Sequence, residues 1–289
     1  MRNERSTSKT RSLVWVLTVL LAFNLKACNN NQVDYPEGSI IMTTTAKELR
    51  IVLSGSDDIT IHWGDGKKSN LNEGTLLNFN EGMEFSHTYS FAAKRTIYIT
   101  GKVEKLRCDN MQLTVLDVSQ NVELTSLNCS DNHLTALDMS RNTALTTLAC
   151  NNNPLTTFDV SKNTALEELI FGGNQSAALD VSRNTALKYL TCSDTQITHL
   201  DVSANTALLN LHICSSQITK LEVNKNPDLK VLCVRRNQLT ASALNDLFYK
   251  LPEKESHGGA ISISGNPGAR DCDRSIAEKK GWVFANLHR

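Results

Sequence analysis

Nothing in this sequence supplies the field that draws a protein to a polyanion. Lys+Arg and Asp+Glu both total 30 and cancel, which leaves no net attraction for nucleic acid or for an acidic membrane surface. Aromatic residues are sparse, at 6%. No stretch reaches the roughly 20 apolar residues that a membrane-spanning helix needs. Catalytic signatures are missing as well: there is no nucleophile-elbow motif, no phosphate loop, and no paired Cys or His spacing of the metal-ligand kind. The 7 histidines are scattered without a partner pattern. These absences argue against an enzyme, and no metal or cofactor is expected.

The chain opens with an export signal. Arg2, Arg5, Lys9 and Arg11 form a basic region, Leu13 to Phe23 an apolar core, and Leu25-Lys26-Ala27-Cys28 a processing site followed by polar residues. This is the layout of a secretory signal peptide. Its ending resembles a bacterial lipoprotein box, which implies that Cys28 takes lipid and becomes the mature N-terminus, although Lys26 stands where that box has a small residue. The resemblance implies an exported protein held to the cell envelope, at the outer membrane or cell surface; the alternative is a plain signal peptide and a secreted or periplasmic protein.

Internal periodicity decides the fold. Leu106, Leu127, Leu148, Leu169, Leu190, Leu211 and Leu232 recur every 21 residues, as do Asp117, Asp138, Asp159, Asp180 and Asp201, with Glu222 in the next place. Asn121, Asn142, Asn163, Asn184, Asn205 and Asn226 keep the same step. One unit runs Leu124-Thr-Ser-Leu127-Asn-Cys129-Ser-Asp-Asn132-His-Leu134, which matches the pattern LxxLxLxxNxL with cysteine in the third apolar slot. On these residues the chain resembles the bacterial cell-surface leucine-rich-repeat proteins of internalin type, over roughly 104–266. The resemblance implies a right-handed solenoid with a concave parallel sheet. In that family the asparagines at Asn132, Asn153, Asn174 and Asn237 form a ladder to the backbone of neighbouring coils; Thr195 and Ser216 break it.

Leu127 and Cys129 lie two apart, so on a short strand they share the interior face. Cys108, Cys129, Cys150 and Cys192 hold that slot and read as small buried hydrophobes. In-register side chains point the same way, which is poor disulfide geometry, so the cysteines are expected to be core thiols rather than staples. The Asp column has two readings, a cation-binding strip or backbone-bonded turns; the second is preferred, because one carboxylate per coil falls short of the six to eight oxygens calcium takes.

After Leu239, Ser242 is placed to cap a helix from Ala243, with Leu244, Leu247, Phe248 and Leu251 at helical spacing and Pro252 ending it. Ile261, Ile263 and Asn266 then repeat the strand pattern 29 residues after Leu232, the length of a helix-bearing repeat. A second helix is expected over 271–280, with Trp282, Val283 and Phe284 closing the end and Cys272 packed in the cap. Upstream, Ile59, Ile61 and Trp63 alternate before the turn Gly64-Asp65-Gly66, and Phe85–Tyr89 and Thr96–Ile99 read as later strands. "WGDG…HTY…IYI" resembles PKD-type β-sandwich modules, with Ala93-Lys94-Arg95 in place of the usual Pro-Gly. His87 and Asp65 are too few ligands for a metal site; the module could equally cap the first coil.

The expected fold is therefore mainly β with an α/β C-terminal cap: signal peptide 1–27, linker 28–38, PKD-like module 39–103, solenoid 104–240, long repeat and cap 241–289. The expected function is non-enzymatic recognition of a protein or glycan on the concave face, with a surface spacer or assembly component as the alternative. The later coils supply the mixed aromatic and charged set that anchors interfaces: Glu168, Ile170, Tyr189, His212 and Arg235.

Overall fold

The computed structural model describes residues 34–78, 82–255 and 257–285. Glu37 onward forms one compact unit. The expected export signal and the expected lipid-bearing Cys28 lie outside the described residues. No helix among the described residues is long and apolar enough to cross a membrane.

The N-terminal part contributes β1 (Ile40–Thr44), β2 (Glu48–Gly55), β3 (Thr60–His62), β4 (Lys68–Asn70), β5 (Thr75–Asn78), β6 (Gly82–Thr88) and β7 (Arg95–Thr100). The chain then enters the repeats with β8 (Val103–Arg107) and β9 (Leu113–Asp117). Two sheets result. One runs β4-β3-β7-β1-β9, and the other runs β5-β6-β2-β8 and on through the parallel strands of the later coils. Both sheets cross from the module into the first coil, because β1 pairs with β9 and β2 with β8, each antiparallel. The module thereby covers the open end that a solenoid cannot leave exposed.

Between the two sheets lie Ile40, Met42, Ile51, Leu53, Ile61, Trp63, Phe85, Ile97 and Ile99, all buried. At Gly64 (φ +76), a side-chain carbon would sit 2.4 Å from the Thr96 carbonyl oxygen, so this turn requires glycine. Beside it His87 meets Asp65 at 2.9 Å and stacks on Trp63 at 4.7 Å. The Lys67 amide also donates to Asp65, so the pair is a turn braced against a packed histidine. No group of three potential metal ligands occurs among the described residues.

The solenoid strands are β10 (Ser126–Asn128), β11 (Thr147–Ala149), β12 (Glu168–Ile170), β13 (Tyr189–Thr191), β14 (Asn210–His212) and β15 (Val231–Cys233). They pair in parallel with leucine facing leucine, Leu127 on Leu148 through to Leu211 on Leu232. Every coil leaves its strand through a residue with positive φ: Asn110, Asp131, Asn152, Gly173, Asp194, Ser215, Arg236 and Gly265. Asn, Asp and Gly tolerate this conformation; Ser215 and Arg236 adopt it at a cost.

The asparagine that follows makes the ladder. Asn153 accepts from the Leu134 amide through Oδ1 at 3.0 Å and donates through Nδ2 to Cys129 and Cys150 carbonyls at 3.0 and 3.2 Å. Asn132, Asn174 and Asn237 repeat the arrangement, and Asn266 extends it. At the break, Thr195 and Ser216 hydroxyls bond each other at 2.9 Å. A second column, periodic in the sequence but given no role there, lies on the other side of the coil. Asn142, Asn163, Asn184, Asn205 and Asn226 are fully buried and each donates to two carbonyls of the preceding coil.

Cys108, Cys129, Cys150 and Cys192 are buried free thiols. Burial pushes the Cys129 thiol up to about 12 and those of Cys108 and Cys150 well above the usual range. The expectation that no cysteine is a staple is corrected at one place: Cys214 and Cys233 form a disulfide, Cα–Cα 6.2 Å. They are 19 residues apart rather than one period, which makes them diagonal neighbours on adjacent strands. The aspartates are turn formers. Asp138, Asp159, Asp180 and Asp201 each accept from the backbone amide two residues on, at 2.8 to 2.9 Å.

The C-terminal repeat carries α1 (Ala241–Lys250), which starts two residues earlier than expected because Thr240, not Ser242, caps it. Leu244, Leu247 and Phe248 are its buried face. Then come β16 (Gly259–Ser262), α2 (Ser275–Glu278) and β17 (Trp282–Phe284). The helix expected over 271–280 is this single turn, because the chain from Asn266 is spent in tight turns: the Ala269, Asp271 and Cys272 amides donate back to Asn266 and Gly268 carbonyls, and Asp273 accepts from Ser275. Trp282 is buried against Gly259, where a side-chain carbon would lie 2.6 Å from the indole, and its Nε1 donates to the Pro252 carbonyl at 2.8 Å.

Candidate binding face

Among the described residues the second sheet has 12 strands, and one of its faces is turned away from the coil interior. Parallel register sorts that face into rows, with side chains in a row about 4.8 Å apart. One row runs Lys105, Ser126, Thr147, Glu168, Tyr189, Asn210 and Val231; the next runs Arg107, Asn128, Ala149, Ile170, Thr191, His212 and Cys233. A third row, two residues further on, passes through Cys214 and Arg235.

All five expected residues fall on this face. Glu168 and Tyr189 are register partners, and Tyr189 is 43% exposed, which leaves its ring free for a partner surface. Ile170 and His212 lie in the adjacent row on either side of Thr191. Arg235 lies beyond, and its Nε donates to Ser264 Oγ at 2.9 Å. The five form a diagonal across four strands rather than one compact cluster. The Cys214–Cys233 disulfide lies in the same region, between His212 and Arg235 in the rows.

The opposite end of the face carries charge that the sequence reading passed over. Lys105 and Arg107 stand in register with Ser126 and Asn128, so extending the alignment back by one coil would have found them. Module strands continue the surface: Val52 is the partner of Arg107, and Arg50 faces Ser86. Two adjoining depressions result. One, about 350 Å³, is lined by Val52, Lys105, Arg107, Ser126, Asn128 and Thr147 among others. The other, about 340 Å³, shares Val52 and Arg107 with it and adds Glu48, Arg50 and Asp109. Arg107 pairs with Asp109 at 2.6 Å and Arg50 with Glu84 at 2.5 Å. Arg50 holds the Glu84 carboxyl below its usual range, chiefly through that hydrogen bond.

No protein-family model matches the chain, and no curated protein does. Solved structures do. The functional domain of InlJ from Listeria monocytogenes, described as including a cysteine ladder, is 39% identical over 61% of this chain and 37% of its own, with a TM-score of 0.52. Internalin InlF from L. monocytogenes strain 4b F2365 is 22% identical over 60% of this chain and 50% of its own, with a TM-score of 0.52. The leucine-rich-repeat domain of APL1B is 17% identical over 63% and 62%, with a TM-score of 0.50. The last two show the fold alone, and the chain spans less than two thirds of each of the three. The fold is a mainly β leucine-rich-repeat solenoid of about 21-residue coils, and its structural neighbours include internalin-type proteins. In this chain Cys108, Cys129 and Cys150 hold the same interior slot of successive coils, until Phe171 interrupts the series.

Proposed function

We propose that the protein is a non-enzymatic binding protein of the cell envelope, which docks a protein or glycan on its concave sheet. The observation that carries this is the continuous face itself. All its strands are paired within one sheet, and it presents an exposed aromatic ring, Tyr189, among charged and apolar neighbours. Tyr and Arg are over-represented among residues that dominate interface energy, and the concave side of a solenoid is the surface such proteins use. In this reading Tyr189 and Ile170 supply apolar contact, Glu168 and Arg235 set orientation, and His212 supplies a hydrogen bond. Cys28 is the lipid attachment point and the PKD-like module extends and caps the solenoid; the likeness to internalin-type neighbours supports a surface setting. Screening the protein against glycan arrays and against surface extracts of bacterial and host cells should give a binder that is lost in Tyr189→Ala with Arg235→Ala. A binder retained by that double variant would remove the assignment of this face.

A further inference from the structure

Where the chain leaves its strand, each coil buries an amide whose acceptor the next coil must supply. The Leu113, Leu134, Leu155, Ile218 and Leu239 amides donate to the Oδ1 of an asparagine one coil on, at 2.9 to 3.4 Å. The corresponding amides of Ser176 and Ile197 do not. Both residues are buried, and neither amide has an acceptor among the described residues. Thr195 and Ser216 stand where the asparagines would be. A hydroxyl oxygen hangs directly from Cβ, one atom short of an amide oxygen, and these two hydroxyls are turned on each other and on the Cys192 carbonyl. The Gln196 amide is a third gap. The Gln175, Gln217 and Gln238 amides donate to the preceding coil at 2.9 to 3.1 Å, and that of Gln196 makes no such bond among the described residues.

Two other lines of attachment pass through the same coils intact. The strands pair Leu169 on Leu190 and Leu190 on Leu211. Asn184 and Asn205 each donate to two carbonyls of the preceding coil, at 2.8 and 3.0 Å. We propose that the coils of Leu169, Leu190 and Leu211 form a compliant seam that opens on its ladder side. It separates an N-terminal body closed by Asn132, Asn153 and Asn174 from a C-terminal body closed by Asn237 and Asn266, in which the Cys214–Cys233 disulfide ties the coil of Leu211 to that of Leu232. Buried amides without acceptors raise the free energy of the closed state and so lower the cost of local opening. Strand pairing and the second asparagine column keep the two bodies in register as the third line parts. Tyr189 lies on the middle strand of the seam, with Ile170 and His212 on the strands to either side. The exposed centre of the concave face is therefore carried by its least tied coils, whatever that face docks.

Native-state hydrogen exchange on the full chain, resolved to single amides and corrected for intrinsic rates, tests this. The Gly173, Asp194 and Gln217 amides donate across the seam, as those of Asp131, Ser215 and Gln238 donate between coils outside it. The first three should exchange about tenfold or more faster than the second three. The Leu187 and Leu208 amides lie on the second-column side of the seam, and should stay as slow as those of Leu145 and Leu166. Thr195→Asn with Ser216→Asn supplies the missing acceptors and should slow the three seam amides to the level of their counterparts. Asn153→Thr, which opens the same gap in another coil, should speed exchange at Asp131, and decides the matter if the asparagine pair folds poorly. Equal protection in all coils, no slowing in the asparagine pair, no acceleration in Asn153→Thr, or equally fast exchange at Leu187 and Leu208 would overturn the proposal.

Discussion

The two asparagine columns look alike in sequence, yet replacing one rung in each should have very different costs. In the first column, Asn153→Ala removes the acceptor of the Leu134 amide, a buried donor. It also removes two donors, but each carbonyl they served keeps another rung: Cys129 O is shared with Asn132, and Cys150 O with Asn174. The loss is thus one orphaned buried N–H, at about 1–3 kcal/mol, plus two weakened contacts of about 0.5–1 kcal/mol each. The total is about 2–5 kcal/mol. In the second column, Asn163→Ala deletes donors to Met139 and Asn142 carbonyls. Both carbonyls keep a backbone amide, from Asn142 and Leu145. The substitution also discards a buried Oδ1 that has no partner, which returns part of the desolvation cost. The total is about 0–2 kcal/mol.

The measurement is urea unfolding followed by far-ultraviolet circular dichroism, with the slope compared between variants so that only equal transitions are scored. Asn153→Ala should unfold at clearly lower urea than Asn163→Ala, by about 2 kcal/mol or more in free energy. Equal costs would refute the reasoning, because it depends on which buried groups are left unpaired and not on burial, which is nearly identical at the two sites.

Three further outcomes are expected. Arg236→Gly should stabilise the protein by about 1 kcal/mol, since Arg236 sits at φ +52 where its coil-mates are mostly Asn, Asp or Gly; a lower thermal midpoint would contradict this. Reduction of Cys214–Cys233, or Cys214→Ser, should cost about 3 kcal/mol by releasing a closed loop of 19 residues, read as faster hydrogen exchange in the coils of Leu211 and Leu232; unchanged exchange would show that the bond is dispensable. The Ser182 and Ser203 amides and hydroxyls hold the Asp180 and Asp201 carboxyls below their ordinary value of 3.8. Depressed carboxylates contribute stability that is present above that value and lost as pH falls through the lower folded value. The urea midpoint should therefore drop in strong acid, and less steeply in Asp180→Asn with Asp201→Asn.

The solenoid was legible because stacking makes each coil repeat the same burial problem. Leucine every 21 residues has no other economical explanation, and the role of the Asn132 column came from the family resemblance, which agrees with the need to pair backbone groups where the chain leaves the strand. The second column was visible as a period but not as a function, since a buried side chain bonding the previous coil leaves no different trace from a turn asparagine. The disulfide was hidden by the same regularity that revealed the fold. Cysteines one period apart stack in register and point the same way, which argues against bonding. Cys214 and Cys233 are two residues short of a period, and that offset turns a stack into a diagonal contact. The helix start moved from Ser242 to Thr240 because two hydroxyl residues stand in that turn and only backbone direction chooses between them.

Residues on the concave face are the least constrained by folding, so the repeat pattern that identifies the coil says nothing about what the face prefers. Leu127 must be apolar; Ser126 and Asn128 beside it need only avoid the interior. The face becomes readable once the sheet is known to continue into the module. Strand pairing of β2 with β8 makes Arg50 and Val52 neighbours of Lys105 and Arg107, although more than 50 residues separate them in sequence. The module is then more than an end cap. It supplies one wall of the cleft at that end of the face, so its removal should both expose the buried Val103 and Leu106 edge and take away the surface on which the charged end of the face is built.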